Sequence, residues 1–194
     1  MVNIAIFASG NGSNFENLVN HMNDKSIPNA QCAILIVDKE KAFAIERAKK
    51  LHIPYVYVNP KAYVNKEAYE SEIEKILKEK QVELIVLAGY MRFIGKVLLE
   101  AFPNRIINLH PAYLPAFPGA HSILDAFSAK ASYTGVSVHY VDEGVDSGEI
   151  IRQEKISIDP NESLETLEEH IHAMEYKLFP EVVYQVCSEI EKNR

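Results

Sequence analysis

Residues 2–14, VNIAIFASGNGSN, decide the fold of this chain. Residues 2–8 are apolar except for Asn3, which predicts a buried β-strand. Residues 9–13, SGNGS, contain the small residues typical of turns, and residues 14–22 have a helical pattern. A strand, a glycine-containing turn and a helix in direct succession are typical of the first unit of an α/β sheet.

The alternation of strand and helix continues to residue 109. Further strands are predicted at residues 31–37, 54–58, 82–88 and 105–109, and further helices at residues 39–52 and 62–80. This order predicts a parallel sheet with helices on both of its faces.

The pattern changes after residue 109. The proline-rich segment 110–119, HPAYLPAFPG, predicts an ordered irregular loop, and a short helix is predicted at residues 122–130. Residues 135–141 and 150–158 alternate as strands on either side of a turn-rich loop, DEGVDSG. We therefore predict that the sheet is parallel in its N-terminal half and mixed in its C-terminal part.

A helical region is predicted to follow Ser163, which resembles an N-cap, and to be interrupted at Pro180. No repeat or linker divides the sequence. We predict one open-sheet α/β domain over residues 1–194, with a Rossmann-like N-terminal half.

Charge and composition make some classes of function less favourable than others. The 194 residues are 47% hydrophobic, and 20 basic against 27 acidic side chains give a formal net charge of −7. A negative chain disfavours generic binding to nucleic acid or to anionic membranes. The sequence shows no signal peptide and no apolar run of membrane-spanning length, so we expect a cytoplasmic protein.

Metal-binding and disulfide patterns are also missing from the sequence. Cys32 and Cys187 are far apart and lie in no CxxC motif. His170 and His172 are two positions apart on a predicted helix and do not face each other, which argues against a metal pair. We expect no metal.

The turn at residues 9–14 is a candidate anion site. Gly10 and Gly12 permit a tight turn, and the N-terminus of the following helix favours a negative charge. Phe15 occupies the third glycine position of a dinucleotide motif, and no Walker A lysine follows. A single phosphate of a mononucleotide-sized ligand fits best, although a purely structural turn is equally compatible with these residues.

Asn108 and His110 lie at the end of a predicted strand, where ligands bind in open α/β sheets. Residues i and i+2 of a strand point the same way, so the amide could stabilise an oxyanion beside a titrating imidazole. A carboxylate such as Asp146 would orient that imidazole. Taken singly, Asn108 also fits a capping residue, His110 a structural histidine and Asp146 a turn residue. His139 is expected to be structural.

Together these motifs resemble those of a known protein family. The sequence is similar to the folate-dependent formyltransferases over its whole length, and most of all to single-domain members that act on phosphoribosylglycinamide. The segments that carry it are SGNGSN at 9–14, LAGYMRFI at 87–94, INLHPAYLPAFPGAH at 107–121 and GVSVHYVDEGVDSGEII at 135–151.

The resemblance implies a reaction and its catalytic residues. The expected activity is transfer of the formyl group of 10-formyltetrahydrofolate, a co-substrate, to the amine of glycinamide ribonucleotide, as in purine biosynthesis. The family's catalytic positions fall on Asn108, His110 and Asp146. Residues 1–109 would then be the nucleotide- or phosphate-binding half, and residues 110–194 the catalytic and folate-binding half.

The resemblance also implies the binding residues. Those expected at the ribonucleotide are Gly12, Ser13, Asn14, His172 and Glu175. Those expected at the folate are Lys66, Met91, Arg92, Phe93, Ile94, Asn108, Asp142, Glu143, Gly144, Val145 and Asp146. Two of them depart from the family pattern, since Lys66 stands where an arginine is expected and His172 where a glutamine is expected.

Alternatives come from two other classes of function. One is hydrolysis of formyltetrahydrofolate without an amine acceptor, and the other is a non-catalytic nucleotide- or folate-binding module. The trio of Asn108, His110 and Asp146 argues against a binding module, since binding alone needs no such set. The only partners expected are the two small substrates, with neither nucleic acid nor membrane, and the sequence leaves a homodimer open.

Overall fold

The computed structural model describes residues 1–194, and seven strands form one sheet in the order β3-β2-β1-β4-β5-β6-β7. The strands are β1 (Val2–Ala8), β2 (Ala30–Val37), β3 (Tyr55–Tyr57), β4 (Leu84–Leu87), β5 (Ile106–His110), β6 (Tyr133–Tyr140) and β7 (Ile150–Ser157). Strands β1 to β5 pair in parallel, whereas β6 runs antiparallel to both β5 and β7. The predicted change from a parallel to a mixed sheet is confirmed.

Six α-helices cover both faces of the sheet. They are α1 (Ser13–Asn23), α2 (Ala44–Lys50), α3 (Lys66–Glu79), α4 (Lys96–Ala101), α5 (Ser122–Ser128) and α6 (Leu164–Lys192). Helices α1, α2 and α6 pack in one core cluster, and α3 and α4 pack in the other. No helix combines the length and the apolar character needed to cross a membrane.

Strand β1 shows why all of its residues except Asn3 are apolar. Val2, Ile4 and Ile6 belong to the cluster on one face of the sheet, while Ala5 and Phe7 belong to the cluster on the other. Side chains of a strand alternate between faces, so a central strand with helices on both sides buries all of them. The predicted helices on both faces are confirmed.

Two helix predictions need correction in their bounds, and one helix was missed. The helix predicted at 39–52 begins only at Ala44, after a turn. The helix predicted at 62–80 is a short 3₁₀ turn at Pro60–Ala62 and then α3, which begins after Asn65 because the Asn65 side chain accepts a hydrogen bond from the N–H of Ala68. Helix α4 was not predicted at all.

The predicted interruption at Pro180 is wrong, because α6 runs through this residue without a break. Proline lacks the N–H that would bind the carbonyl of residue 176. The side chain of Asn17, on α1, donates to the carbonyl of Tyr176 instead, at 2.9 Å. A donor from another helix thus replaces the missing hydrogen bond, and Pro180 is buried.

Candidate active site

One cavity of about 520 Å³ lies at the end of the sheet where β1, β4 and β5 finish. Its walls come from the turn after β1, the segment after β4, the end of β5, the loop between β6 and β7, and α6. Every site residue predicted from the sequence lines this cavity except Lys66. The exposed side chain of Lys66 lies outside it, beside Gly95 at the start of α4.

The turn after β1 brings a free helix N-terminus to the cavity. Gly12 is the N-cap of α1, has a φ of 74°, and no side chain caps the helix. A Cβ atom on Gly12 would stand 2.6 Å from the Cβ of Ala44, so only glycine fits there. The first N–H groups of a helix have no partner within it, and those of Gly12, Ser13 and Asn14 are available for an anion.

Helix α6 reaches this turn through a chain of polar side chains. Asn14 Nδ2 donates to Glu175 Oε2 at 2.8 Å, and His172 Nδ1 lies 3.1 Å from Glu175 Oε1. The hydrogen bond to the Glu175 carboxylate raises the pKa of His172 above its ordinary value of 6.5, although burial acts in the opposite direction. This wall of the cavity therefore carries a carboxylate that favours the protonated form of its neighbour His172.

The segment 91–94 forms another wall. Ser9 Oγ accepts a hydrogen bond from the N–H of Met91 at 2.8 Å. At the far end of the segment, the carboxylate of Glu70, only 2% exposed, accepts from the N–H of Gly95 at 2.6 Å. The segment is thus fixed at both ends, while Met91 and Phe93 are 63% and 65% exposed. Exposed apolar side chains on a fixed backbone suit a flat ligand.

The ring of His110 lies between two acceptor groups. Its Nε2 is 2.9 Å from the carbonyl oxygen of Phe117, and its Nδ1 is 3.5 Å from Asp146 Oδ2. A neutral imidazole has one N–H donor and one acceptor lone pair, so either tautomer points a lone pair at an oxygen. The ring therefore lies against an oxygen on each side, hydrogen-bonded to the Phe117 carbonyl and in contact with the Asp146 carboxylate.

Asp146 remains ionised in this position. Burial alone would raise the pKa of Asp146, but the neighbouring His139 and Gly119 N–H, and then the charge of His110, lower it below its ordinary value of 3.8. Gly119 N–H donates to Asp146 Oδ2 at 2.9 Å. Asp146 has a φ of 50° and Phe117 a φ of 52°, so both residues that hold the His110 ring are in the left-handed region. Such strain in non-glycine residues is typical of functional sites.

His139 is the site residue that the sequence interpretation missed. It lines the cavity, with Nε2 3.7 Å from Asp146 Oδ1 and 3.3 Å from Asn108 Nδ2, and its structural role stays a prediction. Its Nδ1 lies 2.8 Å from the carbonyl oxygen of Tyr140, which fixes Nδ1 as a donor. Its Nε2 thus faces both the Asn108 amide and the Asp146 carboxylate.

The pairing of β5 with β6 is what places His139 at the site. His139 of β6 stands directly opposite Asn108 of β5 in the antiparallel register. An amide has two N–H donors, so one can bind His139 while the other faces the cavity. Asn108, His110 and Asp146 therefore present an amide donor, an imidazole and a carboxylate to the same space.

The chemistry of this set is that of acyl or formyl transfer. An amide donor and a charged imidazole stabilise a tetrahedral oxyanion. A cysteine nucleophile is disfavoured, because burial raises the pKa of both Cys32 and Cys187 to about 12. No group of three or more His, Cys, Asp or Glu side chains has the arrangement of a metal site.

Comparison with known proteins agrees with this chemistry. The family model described as formyl transferase matches residues 2–183. The chain belongs to the formyl transferase family. Among its relatives, the phosphoribosylglycinamide formyltransferase of Bacillus subtilis (strain 168) is 49% identical over 186 residues, covering 96% of this chain and 95% of the relative. The resemblance inferred from the sequence motifs is confirmed.

Solved structures of formyl transferases share the fold. The phosphoribosylglycinamide formyltransferase of Bacillus halodurans is 47% identical with a TM-score of 0.93, covering 97% of this chain and 96% of that one. The glycinamide ribonucleotide transformylase 1 of Geobacillus kaustophilus is 46% identical with a TM-score of 0.94, covering 96% and 99%. This formyl transferase therefore has the predicted α/β architecture.

Proposed function

We propose that this enzyme transfers the formyl group of 10-formyltetrahydrofolate to the amine of N1-(5-phosphoribosyl)glycinamide, a step of purine biosynthesis. One observation carries the proposal. The amide, imidazole and carboxylate of Asn108, His110 and Asp146 share one cavity with a free helix N-terminus at Gly12. A phosphate-bearing acceptor and a formyl donor can thus meet at the catalytic set.

The ribonucleotide occupies the side of the cavity next to α1 and α6. Its phosphate accepts hydrogen bonds from the N–H groups of Gly12, Ser13 and Asn14. Its glycinamide end, which carries the amine, lies toward Glu175, and the ribose lies toward His172. This placement is supported by the hydrogen bond from Asn14 to Glu175, which joins the two groups of residues at 2.8 Å.

The folate occupies the side formed by segments 91–94 and 142–146. Both segments present exposed apolar side chains, Met91 and Phe93 on one and Val145 on the other. Their loops also offer main-chain groups for a pterin. Of the predicted folate residues, Lys66 is the exception, because it lies outside the cavity and could meet only a part of the folate that extends beyond it.

Transfer begins when the neutral amine of the ribonucleotide attacks the formyl carbon. The new C–N bond converts the carbonyl oxygen to an oxyanion, which Asn108 Nδ2 and the His110 imidazolium stabilise; such a donor typically lowers the barrier by about 2.7–4 kcal/mol. A proton moves from the attacking nitrogen to N10 of the folate, with Asp146 placing a water as the carrier. The bond from N10 to the formyl carbon then breaks, giving formylated ribonucleotide and tetrahydrofolate.

The test is conversion of 10-formyltetrahydrofolate with and without the ribonucleotide, followed by absorbance and by mass spectrometry of the product. We expect tetrahydrofolate and a formylated ribonucleotide in equal amounts, only when both substrates are present. Formate release that does not require the ribonucleotide would instead identify a hydrolase. Binding of both substrates without turnover would identify a binding module. The cytoplasmic location stays a prediction, and the oligomeric state stays open.

A further inference from the structure

The turn between β1 and α1 is held from outside the cavity by Arg47, a side chain of α2. Arg47 Nε donates to the main-chain oxygen of Asn11 at 2.8 Å, and Nη2 donates to the Asn11 side-chain oxygen, also at 2.8 Å. The remaining nitrogen, Nη1, lies 2.7 Å from Glu16 Oε2. The Arg47 side chain is 22% exposed, and each of its three guanidinium nitrogens has an acceptor.

The three carbonyl groups of the turn are held in different ways. The carbonyl of Gly10 accepts from the N–H of Ala44 at 3.0 Å, and that of Gly12 accepts from the N–H of Glu16 at 3.0 Å. Both donors belong to the main chain of a helix. The carbonyl of Asn11 is held only by the side chain of Arg47.

The orientation of this peptide decides whether the turn can bind an anion. In a trans peptide the C=O and N–H groups point in opposite directions, so holding the Asn11 carbonyl on α2 turns the Gly12 N–H away from α2. Gly12 lines the cavity. If the peptide rotated, a carbonyl oxygen would replace this N–H and repel a phosphate.

Glycine makes such a rotation easy. Gly12 has a φ of 74°, and glycine populates positive and negative φ about equally well. The close approach of Ala44 prevents any larger residue from restricting this position. The restriction must therefore come from a hydrogen bond to the peptide itself.

We propose that Arg47 is a positioning residue for the phosphate of the ribonucleotide substrate, acting by locking the Asn11–Gly12 peptide with its N–H toward the cavity. Arg47 is not among the residues that line the cavity, so it acts through the turn. The inference rests on the proposed function, because it concerns the phosphate side of that site.

Lys50 offers a matched control. It lies on the same helix as Arg47, and its Nζ is 3.8 Å from Glu16 Oε1. It carries the same charge beside the same carboxylate but makes no hydrogen bond to Asn11. Comparing variants of Arg47 and Lys50 therefore distinguishes the hydrogen bonds from Arg47 to Asn11 from a general effect of positive charge.

The experiment measures steady-state kinetics of Arg47→Met, Arg47→Lys and Lys50→Met with the ribonucleotide and with its dephosphorylated riboside. For Arg47→Met we expect the KM for the ribonucleotide to rise about tenfold, the equivalent of one hydrogen bond, with kcat nearly unchanged. Arg47→Lys keeps the charge but loses the planar fork, so its KM also rises. Lys50→Met should match the wild type, and the riboside should react equally well with all variants.

A second readout uses inorganic phosphate and the amide resonance of Gly12. In the wild type we expect phosphate to shift this resonance in a saturable way, and in Arg47→Lys to shift it only at higher concentration. The lysine variant retains the ion pair with Glu16, so the inference stays testable if Arg47→Met does not fold.

Three results would overturn the inference: an unchanged KM in both Arg47 variants, an equal rise in Lys50→Met, or an equal loss with the riboside. The proposed function fails in a different way, since the wild type would then not formylate the ribonucleotide at all.

Discussion

Asp146 acts on His110 through charge, and its own pKa is lowered in the folded protein. Replacing it by asparagine removes the attraction that favours a protonated imidazole. We predict that Asp146→Asn lowers kcat about a hundredfold or more at neutral pH, with partial recovery toward acid. The KM values should change much less, because the oxyanion exists only in the transition state.

The measurement is a pH profile of kcat and of both KM values. Glu149→Gln is the control, because it removes an exposed carboxylate near the end of the same loop. Wild-type turnover in Asp146→Asn at neutral pH would remove Asp146 from the mechanism.

The raised pKa of His172 determines how its contribution to stability changes with pH. A group whose pKa is raised by folding stabilises the protein fully below its ordinary pKa of 6.5, and this is lost as the pH rises through the folded value. We predict that His172→Gln lowers the free energy of unfolding at pH 6 but not at pH 9. The effect should stay below about 1 kcal/mol, because the side chain is 51% exposed.

Urea unfolding at the two pH values measures this difference. In a Glu175→Gln background the pH dependence of the His172→Gln effect should disappear, since the carboxylate that causes the shift is gone. A larger loss at pH 9 than at pH 6 would contradict the assignment of the His172–Glu175 pair.

Helix α6 continues through Pro180 because Asn17 of α1 binds the carbonyl of Tyr176. We predict that Asn17→Ala lowers the free energy of unfolding by about 1–2 kcal/mol, since that half-buried carbonyl then has no donor. In a Pro180→Ala background the loss should be much smaller, because residue 180 then has an N–H for the same carbonyl. A double-mutant cycle by urea unfolding measures the difference, and an equal loss in both backgrounds would refute the explanation.

The elements that could be predicted from the sequence are those whose causes are local. Strand β1 is apolar except for Asn3, and the N-cap Ser163 accepts from the N–H of Thr166 within its own turn. Helix α4 is only six residues long, and its N-terminus is stabilised by Glu70 of another helix. The continuity of α6 likewise depends on a donor 159 residues away, which no local pattern reveals.

The site residues also differ in whether local sequence or the pairing of distant strands places them. Asn108 and His110 share one strand, so their common direction follows from spacing alone. His139 joins them only because β6 pairs with β5 in one particular antiparallel register. The sequence shows an alternating strand there, but a shift of that register by one residue would turn His139 to the other face.

The two halves of the chain share one core over the whole molecule. Residues of β1 and α1 lie in the same hydrophobic cluster as residues of β6 and α6. We predict that the protein unfolds in a single cooperative transition, with far-UV and tyrosine signals changing together, and that a fragment of residues 1–109 does not fold alone. Separate transitions, or a folded fragment, would show that the halves are independent domains.

The hydrogen bond from Asn14 to Glu175 joins residues that are 161 positions apart. At about 5–20 residues per second, a ribosome needs roughly 8–32 s to proceed from the first to the second. The phosphate turn therefore leaves the ribosome well before the wall that completes it has been synthesised. Until α6 has been made, a growing chain has no finished pocket at this turn.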